Sequence, residues 1–192
     1  MGRLKGGKKL VYVSEDVLEA IAEVCREKGV AIGRFIEDAL KQAVRLEELG
    51  YNVEEVADIL EVIKAQKILG GAFIPQEVLN FMINVVYKAK SEELRAGCFE
   101  SGKLYGRYMR EKFSNPIEAL KRFLETSRWD LSEVNVSSEG NINRLRCVST
   151  VLSVEGTELL TKFVEGVIRG LGYEVLKVEF IKGIVIMEFK KV

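Results

Sequence analysis

Apolar positions along the chain recur at two periods, and each change of period marks an element. Residues 9–13, "KLVYV", alternate as a short strand. Val17, Leu18, Ile21, Val24 and Cys25 then fall at helical spacing over residues 14–28. Ser14 is placed as the N-cap, Glu15 and Asp16 sit where the helix dipole favours acids, and Gly29 supplies the stop. The turn "GVAIG" leads into a second helix over residues 32–48, with Phe35, Ile36, Ala39, Leu40, Ala43 and Leu46 on its apolar face. Gly50 breaks that pattern, and Asn52 caps a helix over residues 53–69 with Val56, Ile59, Leu60 and Ile63 inward. Pro75 stands near the start of a helix over 76–90, residues 92–113 form another, and Pro116 opens one that runs to 127. "LSEVNVSSEGNINRLRCVST" reads as two strands around the turn "SSEGN". Residues 156–171 are strongly amphipathic, with Leu159, Leu160, Phe163, Val164, Val167, Ile168 and Leu171 on one face. "YEVLKVEFIKGIVIMEFK" is a second hairpin turning near Lys182 and Gly183.

The C-terminal half thus runs helix, helix, strand, strand, helix, strand, strand, with no βαβ crossover. The fold class expected is α+β: an antiparallel four-stranded sheet backed by helices, behind a small N-terminal module and a helical connector. The boundaries fall at residues 1–49, 50–90 and 91–192. Gly102 and Gly106 lie in mid-helix, where each glycine costs about 1 kcal/mol relative to alanine, so another element is expected to approach closely there. The strand at 9–13 has no second strand near it in sequence, and an unpaired strand leaves its backbone polar groups unsatisfied. Its expected partner is the same strand of a second copy, giving a homodimer through strand 9–13 and the two following helices.

Composition narrows the function. The 192 residues carry 29 basic and 29 acidic side chains and no histidine, and 47% are hydrophobic. The lack of histidine removes the commonest general base and nitrogen metal ligand. No phosphate-loop glycine motif or nucleophile elbow occurs either, so binding rather than catalysis is expected. Charge is zero overall but uneven: residues 1–9 hold Arg3, Lys5, Lys8 and Lys9 and no acid, which suits either a solvated tail or a phosphate-contacting arm. Cys25, Cys98 and Cys147 are far apart and odd in number, as buried free thiols in a reducing compartment would be. No apolar run approaches a membrane span and no signal peptide is visible, so a soluble, cytoplasmic protein with no membrane partner is expected. The charged content of 30% with few glutamines is of the kind found in thermophiles.

Residues 8–48 resemble the ribbon-helix-helix family of DNA-binding proteins, through the strand "KKLVYV", the first helix "SEDVLEAIAEVCREKG" and the turn and second helix "VAIGRFIEDALKQAV". The resemblance implies that two chains pair their strands into an antiparallel ribbon that enters the major groove of double-stranded DNA. Val11 and Val13 would then face a shared core, while Lys8, Leu10 and Tyr12 face the bases. It also implies a phosphate contact at the start of the second helix, Ala31, Ile32, Gly33 and Arg34, with Arg3 and Lys5 on the basic arm. Of the outward residues only Lys8 is a strong donor, and Ala31 stands where many relatives carry a capping serine or threonine. The same module used only for dimerisation therefore stays open as the second reading.

Residues 91–192 resemble the 4-vinyl reductase-type domain, related in fold to small subunits of the TRAPP trafficking complexes. The resemblance is carried by "RAGCFESGKLYGRYMREKF", "VEGTELLTKFVEGVIRGLGYEVLKVEF" and the closing hairpin "KVEFIKGIVIMEF". It implies a small-molecule or partner sensor attached to a regulator, with an apolar cavity between helices and sheet. Phe99, Tyr105, Tyr108, Trp129, Phe163 and Phe180 are the candidate lining for a small apolar ligand, with ordinary core packing as the alternative for each. Some relatives hold zinc through cysteines near the final hairpin, but "EFIKGIVIMEF" has none, so neither a metal nor another cofactor is expected. Together the two resemblances imply a dimeric transcription regulator controlled by a C-terminal sensor. The alternative is a dimeric ligand-binding or interaction protein that does not read DNA.

Overall fold

Local chemistry sets the helix ends in the computed structural model, which describes residues 9–128 and 130–192. Asn52 and Glu55 form a complete capping box: the Asn52 side chain accepts from the Glu55 amide at 2.9 Å, and the Glu55 carboxylate accepts from the Asn52 amide at 2.8 Å. Asn115 caps the helix that Pro116 opens, and Ser153 accepts from the Gly156 amide at 3.0 Å. Gly29, at φ +65°, closes the first helix with the Val30 amide bonded to the Cys25 carbonyl. Ser14 holds the N-cap position, but its side chain accepts no helix amide. Hydrogen bonds from Ser14 and from the Val17 amide instead hold the Asp16 carboxyl below its ordinary value.

The elements in chain order are α1 (Glu15–Lys28), α2 (Ile32–Glu48), α3 (Val53–Leu69), α4 (Gln76–Lys112), α5 (Pro116–Ser127), β1 (Glu133–Glu139), β2 (Ile142–Val148), α6 (Val154–Gly170), β3 (Tyr173–Ile181) and β4 (Ile184–Lys191). They divide into two compact units, residues 1–56 and 57–192. The expected helices over 76–90 and 92–113 are continuous as α4 but for a kink at Lys90, whose φ −140° and ψ 39° are not helical. The first hairpin is longer than expected. Ser137–Glu139 pair with Ile142–Arg144, which leaves Gly140 and Asn141 as a two-residue turn with Gly140 at φ +58°.

The sheet of the second unit is antiparallel throughout, in the order β1-β2-β4-β3. Alternate residues form rows across it. Val134, Cys147 and Val185 make one row, and Val136, Leu145 and Met187 the next. With Phe189 these rows face α4, α5 and α6 and complete one core, in which Leu120, Leu124, Val164, Val167 and Ile168 are fully buried. The opposite face carries Glu133, Asn135, Arg144 and Arg146, so helices cover one side of the sheet.

Gly102 and Gly106 have the close neighbour their position predicts. A Cβ on Gly102 would lie 2.0 Å from the Phe163 carbonyl oxygen of α6, and one on Gly106 would lie 2.2 Å from that of Val167. The contact is reciprocal, because Gly166 and Gly170 of α6 meet the carbonyls of Phe99 and Lys103 in the same way. Two four-residue glycine spacings therefore let α4 and α6 pack backbone to backbone. α3 departs from expectation: Val62 and Ala65 are buried, and Leu60 and Ile63 are exposed. Val62 packs into the core of the second unit, and the Asp58–Arg122 ion pair to α5 lies beside it.

Candidate nucleic-acid interface and sensor unit

In the first unit, residues 9–13 make no strand ladder within the chain, so the expected ribbon is not formed by a single copy. Leu10 is 81% exposed and Tyr12 91%. Val11, Val13, Val17, Leu18 and Leu40 are exposed as well, and Cys25 alone among the described residues of this unit is buried. Phe35, Ile36, Ala43 and Leu46 are half-buried. Burying the remaining apolar side chains would contribute on the order of 5–10 kcal/mol, comparable with the whole stability of a small domain.

At the start of α2, Ala31 takes the N-cap position in extended conformation with no capping side chain. The Arg34 and Phe35 amides already donate to the Ala31 carbonyl, at 3.1 and 3.0 Å. The donors left for a phosphate are the amides of Ile32 and Gly33, which have no intrahelical acceptor. The first turn of α2 holds no acid, unlike that of α1, and a Cβ on Gly33 would meet nothing within 4 Å. The Arg34 side chain is free to solvent apart from a 3.8 Å pair with Asp38. Arg3, Lys5 and Lys8 lie outside the described residues.

The candidate ligand residues of the second unit separate. Tyr105 and Phe163 are brought together with Phe123, which the sequence reading did not single out; their ring centroids lie 5.1 to 6.3 Å apart. Tyr105 is buried, and burial pushes its phenol up. Phe99 and Tyr108 are half-buried on the same helix, and the Lys103 ammonium sits 5.6 Å from the centre of the Phe99 ring. Phe180 does not join this group. It lies opposite Val185 on the edge strand β3 and lines an open groove of about 640 Å³ with Val178, Ile181, Ile184, Ile186 and Arg146. The reason is topological, since β3 has no neighbour beyond it to cover its apolar side chains. Trp129 lies outside the described residues.

A polar clasp that the sequence did not reveal spans the Lys90 kink. The Tyr87 hydroxyl, before the kink, donates to the Glu158 carboxylate of α6, and Arg95, after it, donates to the same carboxylate at 3.0 Å and to the Tyr87 oxygen at 3.2 Å. The hydrogen bond to Glu158, helped by burial and by the carboxylate charge, raises the Tyr87 phenol above its ordinary value. The two halves of α4 are thereby tied to one point on α6. The Tyr87-to-Arg95 spacing carries no recognisable motif, because Glu158 comes from another element.

All three cysteines are free, with Cys25 and Cys147 buried. Burial pushes the Cys147 thiol up to about 12, against the opposing pull of Arg128. Among the described residues no group of three or more His, Cys, Asp or Glu side chains is placed to hold a metal ion, and no helix is long and apolar enough to cross a membrane. No protein-family model matches this chain, and no curated protein matches it.

Proposed function

We infer that the protein is a dimeric transcription regulator that binds double-stranded DNA through an intermolecular ribbon and is controlled by its C-terminal unit. The observation that carries this is the N-terminal unit: a strand-like segment without a ladder, followed by two helices whose apolar side chains are left largely exposed. Such a unit lacks a core of its own, and a two-fold copy would supply both the missing strand and the missing core. Pairing residues 9–13 would turn Val11 and Val13 inward and present Lys8, Leu10 and Tyr12 to the major groove. The Ile32 and Gly33 amides and Arg34 would hold a flanking phosphate.

The C-terminal unit would bind a small apolar molecule or a partner and act through α3 and α4. Control requires that this ligand bind one dimer geometry more tightly than another. The clasp on Glu158 is placed to pass a shift of α6 to the first half of α4.

A second reading, a dimer that does not read DNA, is favoured by the outward face of residues 9–13, where Leu10 offers no polar group and Tyr12 one hydroxyl. Recovery of genomic DNA fragments by the purified protein at about 150–200 mM salt separates the two. The regulator reading expects sharp enrichment of a two-fold-symmetric motif, lost in a dimeric Lys8→Glu/Tyr12→Glu variant. Its affinity should also fall with salt at a slope of about 0.9 per neutralised phosphate. Recovery without a motif, equal to that of the variant, would overturn it.

A further inference from the structure

The first half of α4 is apolar on two sides. Gln76, Leu79, Asn80, Ile83 and Tyr87 are half-buried on one side, which Tyr87 fastens to α6. Val78, Phe81, Met82 and Val85 form a second stripe at i, i+3, i+4 and i+7 that stays open to solvent, with Phe81 68% exposed. The polar residues Glu77, Asn84 and Lys88 are confined to a narrow third side. From Phe73 to Tyr87 the sole charged residue is Glu77. A helix so constituted is one that is covered on both apolar sides.

We propose that the open stripe is the seat of a second copy of the chain, two α4 helices packing antiparallel across a two-fold axis near Met82. Charge fits this occupant and this direction; Lys88 also acts on Glu155 of its own chain. The antiparallel arrangement sets Glu77 beside Lys88 of the partner subunit at both ends of the contact, whereas a parallel one puts the charged flanks on opposite sides and pairs neither. Among the described residues Glu77 makes no ion pair within its own chain. The area agrees: the stripe presents on the order of 500 Å² per copy, so a pair buries roughly 1000 Å², the lower bound for a specific interface. The two-fold contact brings the connectors together whether or not residues 9–13 pair or touch DNA.

The test is cross-linking of the full-length chain carrying Cys98→Ser, which leaves only the buried native thiols. Met82→Cys treated with a short bismaleimide should give a covalent dimer, and should do so equally in a Leu18→Asp background that disables the N-terminal contact. Asn84→Cys, on the polar side, should not. Glu77→Lys should slow the Met82→Cys reaction several-fold, and adding Lys88→Glu should restore it. Failure of Met82→Cys to outpace Asn84→Cys would overturn the interface, including the cases where another segment or another protein covers the stripe. Cross-linking that persists without charge restoration would overturn the antiparallel arrangement. Loss of motif-specific DNA recovery with the cross-link intact would count against the ribbon alone.

Discussion

Asp130 shows how one side chain is fixed by its surroundings. Its carboxylate is almost fully buried and receives two hydrogen bonds from Arg128, at 2.8 and 2.6 Å. Burial by itself would raise the carboxyl, but the Arg128 hydrogen bonds and charge prevail and hold it below its ordinary value of 3.8. A depressed carboxyl contributes stability that is complete above its unfolded value and is lost as pH falls through the folded one. Asp130→Asn is therefore expected to cost about 2 kcal/mol at pH 7. Urea unfolding from pH 7 down to pH 2 should show that difference closing in the acid range; a difference constant with pH would contradict the assignment. Nothing in the sequence pattern singles out Arg128 or Asp130. Their importance comes from burial beside β2, where the Asp130 carbonyl also accepts from the Ser149 hydroxyl at 2.6 Å.

The joint between α4 and α6 holds the second unit together at the scale of elements. Four glycines take the place of side chains at the crossing, and a methyl group there meets a carbonyl oxygen rather than a movable side chain. Gly102→Ala and Gly166→Ala are each expected to destabilise the unit by about 3 kcal/mol, read by denaturant unfolding, and to weaken near-ultraviolet dichroism before helix content falls. Half of this joint was legible in the sequence. Gly102 and Gly106 stood out because mid-helix glycine is costly, whereas Gly166 and Gly170 passed as part of an amphipathic helix whose apolar face was complete without them. The helices, both hairpins and the antiparallel sheet were legible because their caps, turns and periods are local. The inward face of α3 was not, since burial of Val62 rather than Leu60 and Ile63 depends on packing against elements distant in sequence. Phe180 stands apart from the other candidate lining residues because strand order leaves β3 at an edge, and order is not a local property.

At the scale of the whole molecule, each unit leaves apolar side chains exposed to solvent. The first unit exposes the side chains expected in a shared core, and the second exposes the stripe on α4. These faces involve different residues, so they can be disabled one at a time. We propose that residues 9–13 form a strand only with their counterparts in another chain, and amide hydrogen exchange on Leu10–Val13 reads that pairing. Within one chain these residues make no ladder. Alternate amides in this segment should be protected in the purified full-length protein, and protection should be lost in Leu18→Asp or on dilution below the dimer dissociation constant. Exchange of all four amides at the rates of an unstructured peptide, at a concentration where the protein sediments as a dimer, would contradict it.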